Sequence, residues 1–463
     1  MRLFNDYSGH KEKGLKTDFI KHQDLLGVIA KHKHKKLFMI RTIGKSVEGR
    51  EIYSISFGKG RIKILAWSQM HGDEPTATTA LFDLLNFFSD NAQDNKIRDN
   101  LLNKITFCFI PILNPDGAEK FSRGNAFQID LNRDTIRLQS PESKLLWKYA
   151  NMIKPQFAFN LHDQNGYYTV GRTRKSTGIS LLAPPLDHNN KINSARKKSM
   201  QLICKINETL SKFIPNHIAR YNDDHEPRSF GDNFTKKGIS SILIESGFII
   251  GETDKENIRK LNFVALLSAF QSIAKKDYER VDHKKYFQIP ENKPLLFDLL
   301  LKNLTLNFNG INYTVDIGIN LDKFYDQTKS TFYYKSKIVE IGDLSIYNGI
   351  GECDLSGHEI ESAKIYDRVY KSTSNVSSRQ VLELLKKGYG YLRILNRSQE
   401  SDYTHLPINI IFSRKKNISQ IALEESANLI IKKNKKIIFV VINGFFFDFR
   451  LKKKSILNGL IID

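Results

Sequence analysis

Apolar positions along the first 275 residues switch repeatedly between a period of two and a period near 3.6. That alternation predicts strands interleaved with helices. Phe19, Ile20, Leu25, Leu26, Val28 and Ile29 recur at near-helical spacing and predict an amphipathic helix over 18–35. Residues 37–43 and 51–57 alternate like strands around Ser46-Val47-Glu48-Gly49-Arg50, which reads as a hairpin. A more apolar, interior strand over 61–67 precedes a helix over 78–88, with Pro75 placed early, as helix starts tolerate. The strand 104–113 ends in Asn114-Pro115-Asp116-Gly117, a strong turn signal. A helix over 140–152 has Ser140 as its N-cap. Strands over 157–161 and 179–183, a long helix over 191–213, a fully apolar strand over 239–244 and a closing helix over 256–275 complete the pattern. Strands alternating with helices in this way make an α/β domain with a mixed sheet.

Past the charged break Lys275-Lys276-Asp277 and the segment Pro290-Glu291-Asn292-Lys293-Pro294, the pattern changes to strands over 304–308, 313–317, 337–341, 365–370, 408–412 and 437–441. One helix over 378–386 interrupts them. The reading is a first domain over 1–285 and a β-rich C-terminal domain over 286–463. Three roles stay open for the second domain: packing on the first, restricting access to it, or self-association. The longest apolar run, 436–449, is broken by Asn443-Gly444 and reads as a hairpin, well short of the roughly 20 apolar residues that span a bilayer. Met1-Arg2-Leu3-Phe4-Asn5-Asp6 lacks the apolar stretch of a secretory leader. Cys108, Cys204 and Cys353 form neither a disulfide framework nor a zinc-cysteine spacing, so the cytoplasm is the expected compartment. A net charge of +21 raises the question of nucleic acid or membrane. The lysines are nevertheless spread over the whole chain. The densest runs, His32-Lys33-His34-Lys35-Lys36 and Lys432-Lys433-Asn434-Lys435-Lys436, adjoin strands and read as solvated turns. Neither nucleic acid nor membrane is therefore expected as a partner.

The stretch Trp67-Ser68-Gln69-Met70-His71-Gly72-Asp73-Glu74-Pro75-Thr76 lies where a strand gives way to a helix. Open α/β sheets bind ligands in the crevice at such strand ends. His71 and Glu74 are three residues apart, and imidazole nitrogen with carboxylate oxygen suits zinc. A chain of 463 residues with 12 histidines carries about one His-x-x-Glu by chance. A second one, His358-Glu359-Ile360-Glu361, reads as solvated surface. Position and company distinguish the first. The strand 157–161 delivers His162, and the strand 239–244 delivers Glu245. Between the two histidines, the twelve residues from Arg123 to Asp134 hold two arginines, two asparagines and two aspartates.

With these residues in this order, residues 40–275 resemble the zinc carboxypeptidase family of the pancreatic carboxypeptidase A type. The resemblance rests on His71-Gly72-Asp73-Glu74, Asn114-Pro115-Asp116-Gly117, Arg123, Asp130-Leu131-Asn132-Arg133, His162 and Glu245. It implies one zinc ion held by His71, Glu74 and His162, with Glu245 as general base and Arg123 polarising the scissile carbonyl. It implies further that Asn132 and Arg133 grip the terminal carboxylate of a peptide, and that Asp130 orients His71. Tyr221 is the candidate for the family's mobile tyrosine, with His225 as its rival. Ser229-Phe230-Gly231-Asp232 matches the lining of the specificity pocket and carries no obvious charge there to select a basic side chain, although Arg228 is near. Asp163 to Tyr168 forms a polar loop for which substrate contact and plain surface are equal readings. The implied activity is removal of a C-terminal residue from a peptide, short peptides and cell-wall stem peptides included. A deacylase of N-acyl amino acids, resembling aspartoacylase and succinylglutamate desuccinylase, uses the same zinc and glutamate and is the alternative. A non-catalytic binding protein on this fold is a third reading, disfavoured because every ligand and the glutamate are present.

Overall fold

The computed structural model describes residues 6–90, 95–252, 254–395, 402–412, 421–451 and 456–462. Residues 1–5, read above for a leader, lie outside the described residues. Two units divide the chain, Met1–Pro294 and Leu295–Asp463.

In the first unit, helix α1 (His22–Lys33) precedes strands β1 (Met39–Lys45), β2 (Glu51–Phe57) and β3 (Ile62–Trp67). Helices α2 (Thr76–Ser89) and α3 (Asn95–Lys104), strand β4 (Ile105–Ile110), and helices α4 (Pro115–Lys120) and α5 (Pro141–Ile153) follow. Strands β5 (Phe157–Asp163), β6 (Thr169–Val170) and β7 (Ile179–Leu182) lead to helix α6 (Ser194–Leu210), β8 (Ile218–Arg220), helix α7 (Phe230–Lys236) and β9 (Ser240–Ser246). Helix α8 (Glu256–Lys275) and β10 (Asn292–Lys293) end the unit. β10 pairs with β6, which keeps the Pro290–Pro294 segment in the first unit.

Eight strands form one sheet in the order β1-β2-β4-β3-β5-β9-β7-β8. The four central strands β4, β3, β5 and β9 run parallel, and β2 and β7 flank them antiparallel, so the mixed α/β sheet expected from the sequence is the observed one. Their carboxyl ends, Ile110, Trp67, Asp163 and Ser246, therefore share one edge. Phe82, Phe87, Phe107, Phe109, Phe159 and Phe270 belong to one buried cluster, with α2 and α8. Leu65, Trp67, Leu146, Phe230 and Phe234 belong to another.

Local differences from the sequence reading have local causes. The first helix begins at His22, where the Asp24 carboxylate accepts from Lys21 N at 2.9 Å; Phe19 and Ile20 lie outside it. The predominantly polar α3 carries too few apolar residues to announce a face. Asn114-Pro115-Asp116-Gly117 opens α4 rather than a plain turn. The Asn114 side chain accepts from Gly117 N at 2.9 Å, and Pro115 occupies the first helical turn.

In the basic run 32–36, Lys33 to Lys36 are exposed and the chain turns away from the helix as expected, and only His32 departs from a solvated turn. The run straddles the C-terminus of α1, where cations suit the helix dipole, and His32 is only 1% exposed. Its ring lies beside Phe38 and Phe82, and neither ring nitrogen has a hydrogen-bond partner. Burial, then the charge of Lys35, pushes its pKa down to about 4; Glu12 acts against this and Lys31 adds to it. The unfolded chain keeps the ordinary value near 6.5, so between those values it binds the extra proton. Stability is accordingly lost as pH falls through about 6.5 and levels off below about 4, a loss of about 2 kcal/mol by pH 5. His32→Leu is expected to remove that loss. Urea denaturation at pH 8 and pH 5 checks it, and an equal acid loss in both proteins would remove His32 as the source.

The second unit contains strands β11 (Leu296–Phe308), β12 (Ile311–Asp326), β13 (Thr331–Gly342), β14 (Asn348–Asp354), β15 (Glu359–Ser362) and β16 (Lys364–Tyr370). Helix α9 (Ser378–Lys386), with Ser377 as N-cap, precedes β17 (Tyr389–Ile394), β18 (Tyr403–Thr404) and β19 (Asn409–Phe412). β20 (Leu429–Lys433), β21 (Lys436–Ile442), β22 (Phe445–Asp448) and β23 (Gly459–Ile462) complete it. One sheet runs β13-β12-β11-β15-β20-β21-β22 with β14 beside β11, and the other β16-β17-β19-β23-β18. The run 436–449 is the hairpin β21–β22, turned by Asn443 (φ 47°) and Gly444 (φ 74°), the two positive φ angles of a tight hairpin turn. The run 432–436 turns between β20 and β21, and the second His-x-x-Glu begins β15. Among the described residues, no helix is long and apolar enough to cross a membrane.

Candidate metal centre

β3 ends at Trp67, and the chain turns sharply through Gln69 (φ 42°) to present His71 and Glu74 above the parallel edge of the sheet. The turn is tied down by its own polar groups. Asn114 N donates to Gln69 O at 2.9 Å, Gln69 Nε2 to Gly72 O at 3.0 Å, and Asn114 Nδ2 to Met70 O at 3.3 Å. Gly72 is required by close approach, since a Cβ there would lie 2.0 Å from the carbonyl carbon of Gly117. The two glycine-bearing motifs are therefore packed backbone to backbone. Asp116, fully buried, accepts from Ser46 Oγ, Glu48 N and Arg50 Nη1 and so fastens the β1–β2 hairpin beneath them.

β5 brings His162 to the same edge, and β9 brings Glu245. The two residues are register partners on adjacent parallel strands, so their side chains leave the same face of the sheet. His71, Glu74 and His162 are buried, and their ligand atoms lie within 4.8 Å of one another. Nδ1 of His71 is 2.8 Å from Glu74 Oε1, Nδ1 of His162 is 2.7 Å from Glu74 Oε2, and the two Nδ1 atoms are 3.2 Å apart. Two imidazole nitrogens and a carboxylate converging on one point are a donor set that fits one zinc ion. His71 Nε2 meets Asp130 Oδ1 at 2.9 Å, and a carboxylate there keeps the proton on Nε2 and frees Nδ1 to ligate. Asp130 is itself fixed by Asn132 N at 2.8 Å and by Nε and Nη2 of Arg123 at 3.1 and 3.0 Å.

The electrostatics follow from this crowding. Burial drives the His71 imidazole down, but Glu74 and Asp130 outweigh it and hold it up at about 9. Burial lowers His162, which Glu74 only partly offsets. Burial alone would raise Glu74, yet His71 and His162 hold it well below the usual carboxylate range. Since an imidazole ligates only when neutral, metal uptake by His71 releases a proton. Glu245, 8% exposed, is pushed up to about 8 by burial and then by the charge of Glu74.

A cleft of about 250 Å³ opens over this group. His71, Glu74, Arg123, Asn132, Arg133, His162, Tyr221 and Glu245 all line it. Asp130 stands behind His71. Arg123 reaches His71 Nδ1 at 3.2 Å and Glu74 Oε1 at 3.4 Å through Nη1. Asn132 Oδ1 accepts from Phe230 N at 3.1 Å. Tyr221 lies beside Tyr168, and burial first, then Glu245, raises its hydroxyl strongly, so it stays a proton donor. Its rival His225 is bound instead to Asp232 Oδ1 at 2.9 Å. The polar loop contributes Asp163, Gln164, Asn165 and Tyr168 to the cleft lining.

Asp224 and Glu226 also line the cleft, and neither was singled out as lining by the sequence. Asp232 lies in the lining with its carboxylate turned to Ser229, His225 and Glu226 N. Glu226 carried no motif that could have singled it out.

Residues 29–156 match the family described as zinc carboxypeptidase. Carboxypeptidase SOL1 of Arabidopsis thaliana is 29% identical over 143 residues, covering 27% of this chain and 29% of that protein. Probable carboxypeptidase 2 of Trichophyton verrucosum is 32% identical over 113 residues, covering 24% and 20%. The chain thus spans less than a third of the length of these relatives. Among solved structures, a metallo-carboxypeptidase from Burkholderia cenocepacia aligns with a TM-score of 0.46 at 16% identity, over 56% of this chain and 70% of that one.

Proposed function

From the zinc carboxypeptidase family match over residues 29–156, we propose that this chain is a zinc-dependent metallocarboxypeptidase acting on peptides that end in a free carboxylate. One observation carries the reading: the two Nδ1 atoms and the Glu74 carboxylate converge on a cleft that also holds Glu245, Arg123, Asn132 and Arg133. A zinc ion bound there supplies Lewis acidity towards water and the scissile carbonyl.

The chain's own groups supply the rest. Glu245 accepts a proton from the attacking water on a carboxylate oxygen and returns it to the nitrogen of the leaving amine. Arg123, aimed by Asp130, donates to the oxygen that gains charge as the carbonyl becomes tetrahedral. Arg133 meets the terminal carboxylate with the planar fork that a lysine lacks, and Asn132 adds a carboxamide donor. Tyr221 supplies a protonated hydroxyl at the wall of the cleft. Unpaired Cys108, Cys204 and Cys353 support a cytoplasmic setting.

A mass-spectrometric screen of zinc-loaded protein against mixed peptides, cell-wall stem peptides and N-acyl amino acids tests the proposal. Loss of single C-terminal residues is expected; release of free acyl acids would move the chain to the deacylases, and no turnover with zinc bound would favour a binding protein. His71→Ala and His162→Ala are each expected to lose stoichiometric zinc by elemental analysis. One zinc per chain retained in either variant would remove that residue from the ligand set.

A further inference from the structure

The seat assigned to a substrate's terminal carboxylate already faces a carboxylate. Glu226 belongs to the loop 221–229 between β8 and α7 and lines the cleft. Its Oε2 lies 3.0 Å from Arg133 Nε. Arg228 donates to the same carboxylate from Nε (2.9 Å to Oε1), Nη2 (2.9 Å to Oε2) and its backbone N (3.1 Å to Oε1). The Arg228 side-chain hydrogen bonds, ahead of all other causes, hold Glu226 below the usual carboxylate range, so it is ionised at neutral pH. Arg133 therefore gives Glu226 the bond that a peptide C-terminus would need.

We propose that Glu226 is an internal competitor for Arg133, displaced when a substrate's terminal carboxylate arrives. The inference rests on the reading of Arg133 as the carboxylate grip. A carboxylate tethered on a short loop competes at an effective concentration in the millimolar range, about that of a short flexible linker. Arg228 makes the exchange feasible, because its two parallel bonds keep Glu226 paired after it releases Arg133. Arg133 and Glu226 side chains are 36% and 27% exposed, so water screens the pair and its hold is worth about fivefold. Apparent affinity for a terminal carboxylate falls by the fraction of molecules in which Arg133 is engaged. The device filters substrates: a peptide C-terminus must bring enough contact elsewhere in the cleft to displace Glu226.

The test uses the full, zinc-loaded chain, the peptide most rapidly cleaved in the screen, the amino acid released from it, and the amide of that amino acid. Glu226→Gln is expected to lower the KM of the peptide and the inhibition constant of the released amino acid about fivefold, with no change for the amide. Arg228→Gln leaves Glu226 to Arg133 alone and is expected to shift both constants the opposite way. Arg133→Gln is expected to abolish the preference for the acid over the amide, and Glu226→Gln added to it should then change nothing. If Glu226→Gln binds the acid no more tightly while Arg133→Gln still loses the preference, the competitor role falls and the grip stands. If Arg133→Gln keeps the preference, the grip itself falls, and the competitor role with it.

Discussion

Glu245→Gln is expected to lower peptide hydrolysis about 10²- to 10⁴-fold, the range that a positioned acid–base group supplies. Zinc content should stay at one per chain. The substitution keeps the shape of the side chain and removes only its capacity to take up and return a proton. The group is well placed for that task. It stands beside His162 across the β5–β9 ladder, so the strand that carries one metal-ligand candidate also fixes the height of the candidate base. It shares the cleft with Arg123 and Glu74 and is buried. Steady-state hydrolysis with metal analysis on the same sample gives the answer. A variant that kept most of its activity with zinc in place would show that another group moves the proton.

Arg259→Ala is expected to destabilise the first unit by about 3–5 kcal/mol, the cost of leaving one half of a buried ion pair alone. Arg259 and Asp83 are both fully buried. Arg259 Nε and Nη2 donate to Asp83 at 2.8 and 2.6 Å, and the same guanidinium holds the carbonyls of Glu12 and Leu15 at 2.8 and 3.1 Å. Asp83 also accepts from Tyr7 Oη and Glu12 N, each at 2.7 Å. The pair thus clasps the segment before α1 to helices α2 and α8. Because α2 begins two residues after Glu74, the clasp also steadies the helix that follows the metal centre. Urea denaturation of the full chain checks the single variants. The double variant Asp83→Leu/Arg259→Met is expected to lose less than the sum of Asp83→Leu and Arg259→Met measured singly, since no buried charge is left unpaired. Full additivity would show that the two side chains act independently.

Much of the first unit was legible along the chain because its signals are local. A strand's burial pattern and the polar residue that ends it lie within a few positions, so Glu245 and both histidines could be read as strand-end groups. Helix caps are equally local, which is why Ser140 was read where it stands. Signals that fail locally were misread. Asn114 caps a helix too short to show a face, and α3 is too polar to announce one. His32 reads as part of a charged run until α1 turns it between Phe38 and Phe82.

The sequence by itself determined the alternating α/β pattern, the β-rich second half, and the candidate residues for ligating zinc, accepting a proton and binding a carboxylate. Only the tertiary structure decided that these residues share one cleft, because that depends on the strand order and on the register that sets His162 beside Glu245. It alone also chose the partners of long side chains: Asp83 meets Arg259 across 176 positions, and Glu226 reaches Arg133 from a loop on the far side of β8. The physical reason is the same in each case. Periodicity and capping are properties of neighbours in the chain, whereas pairing between distant groups is fixed only when the packed core brings their elements together.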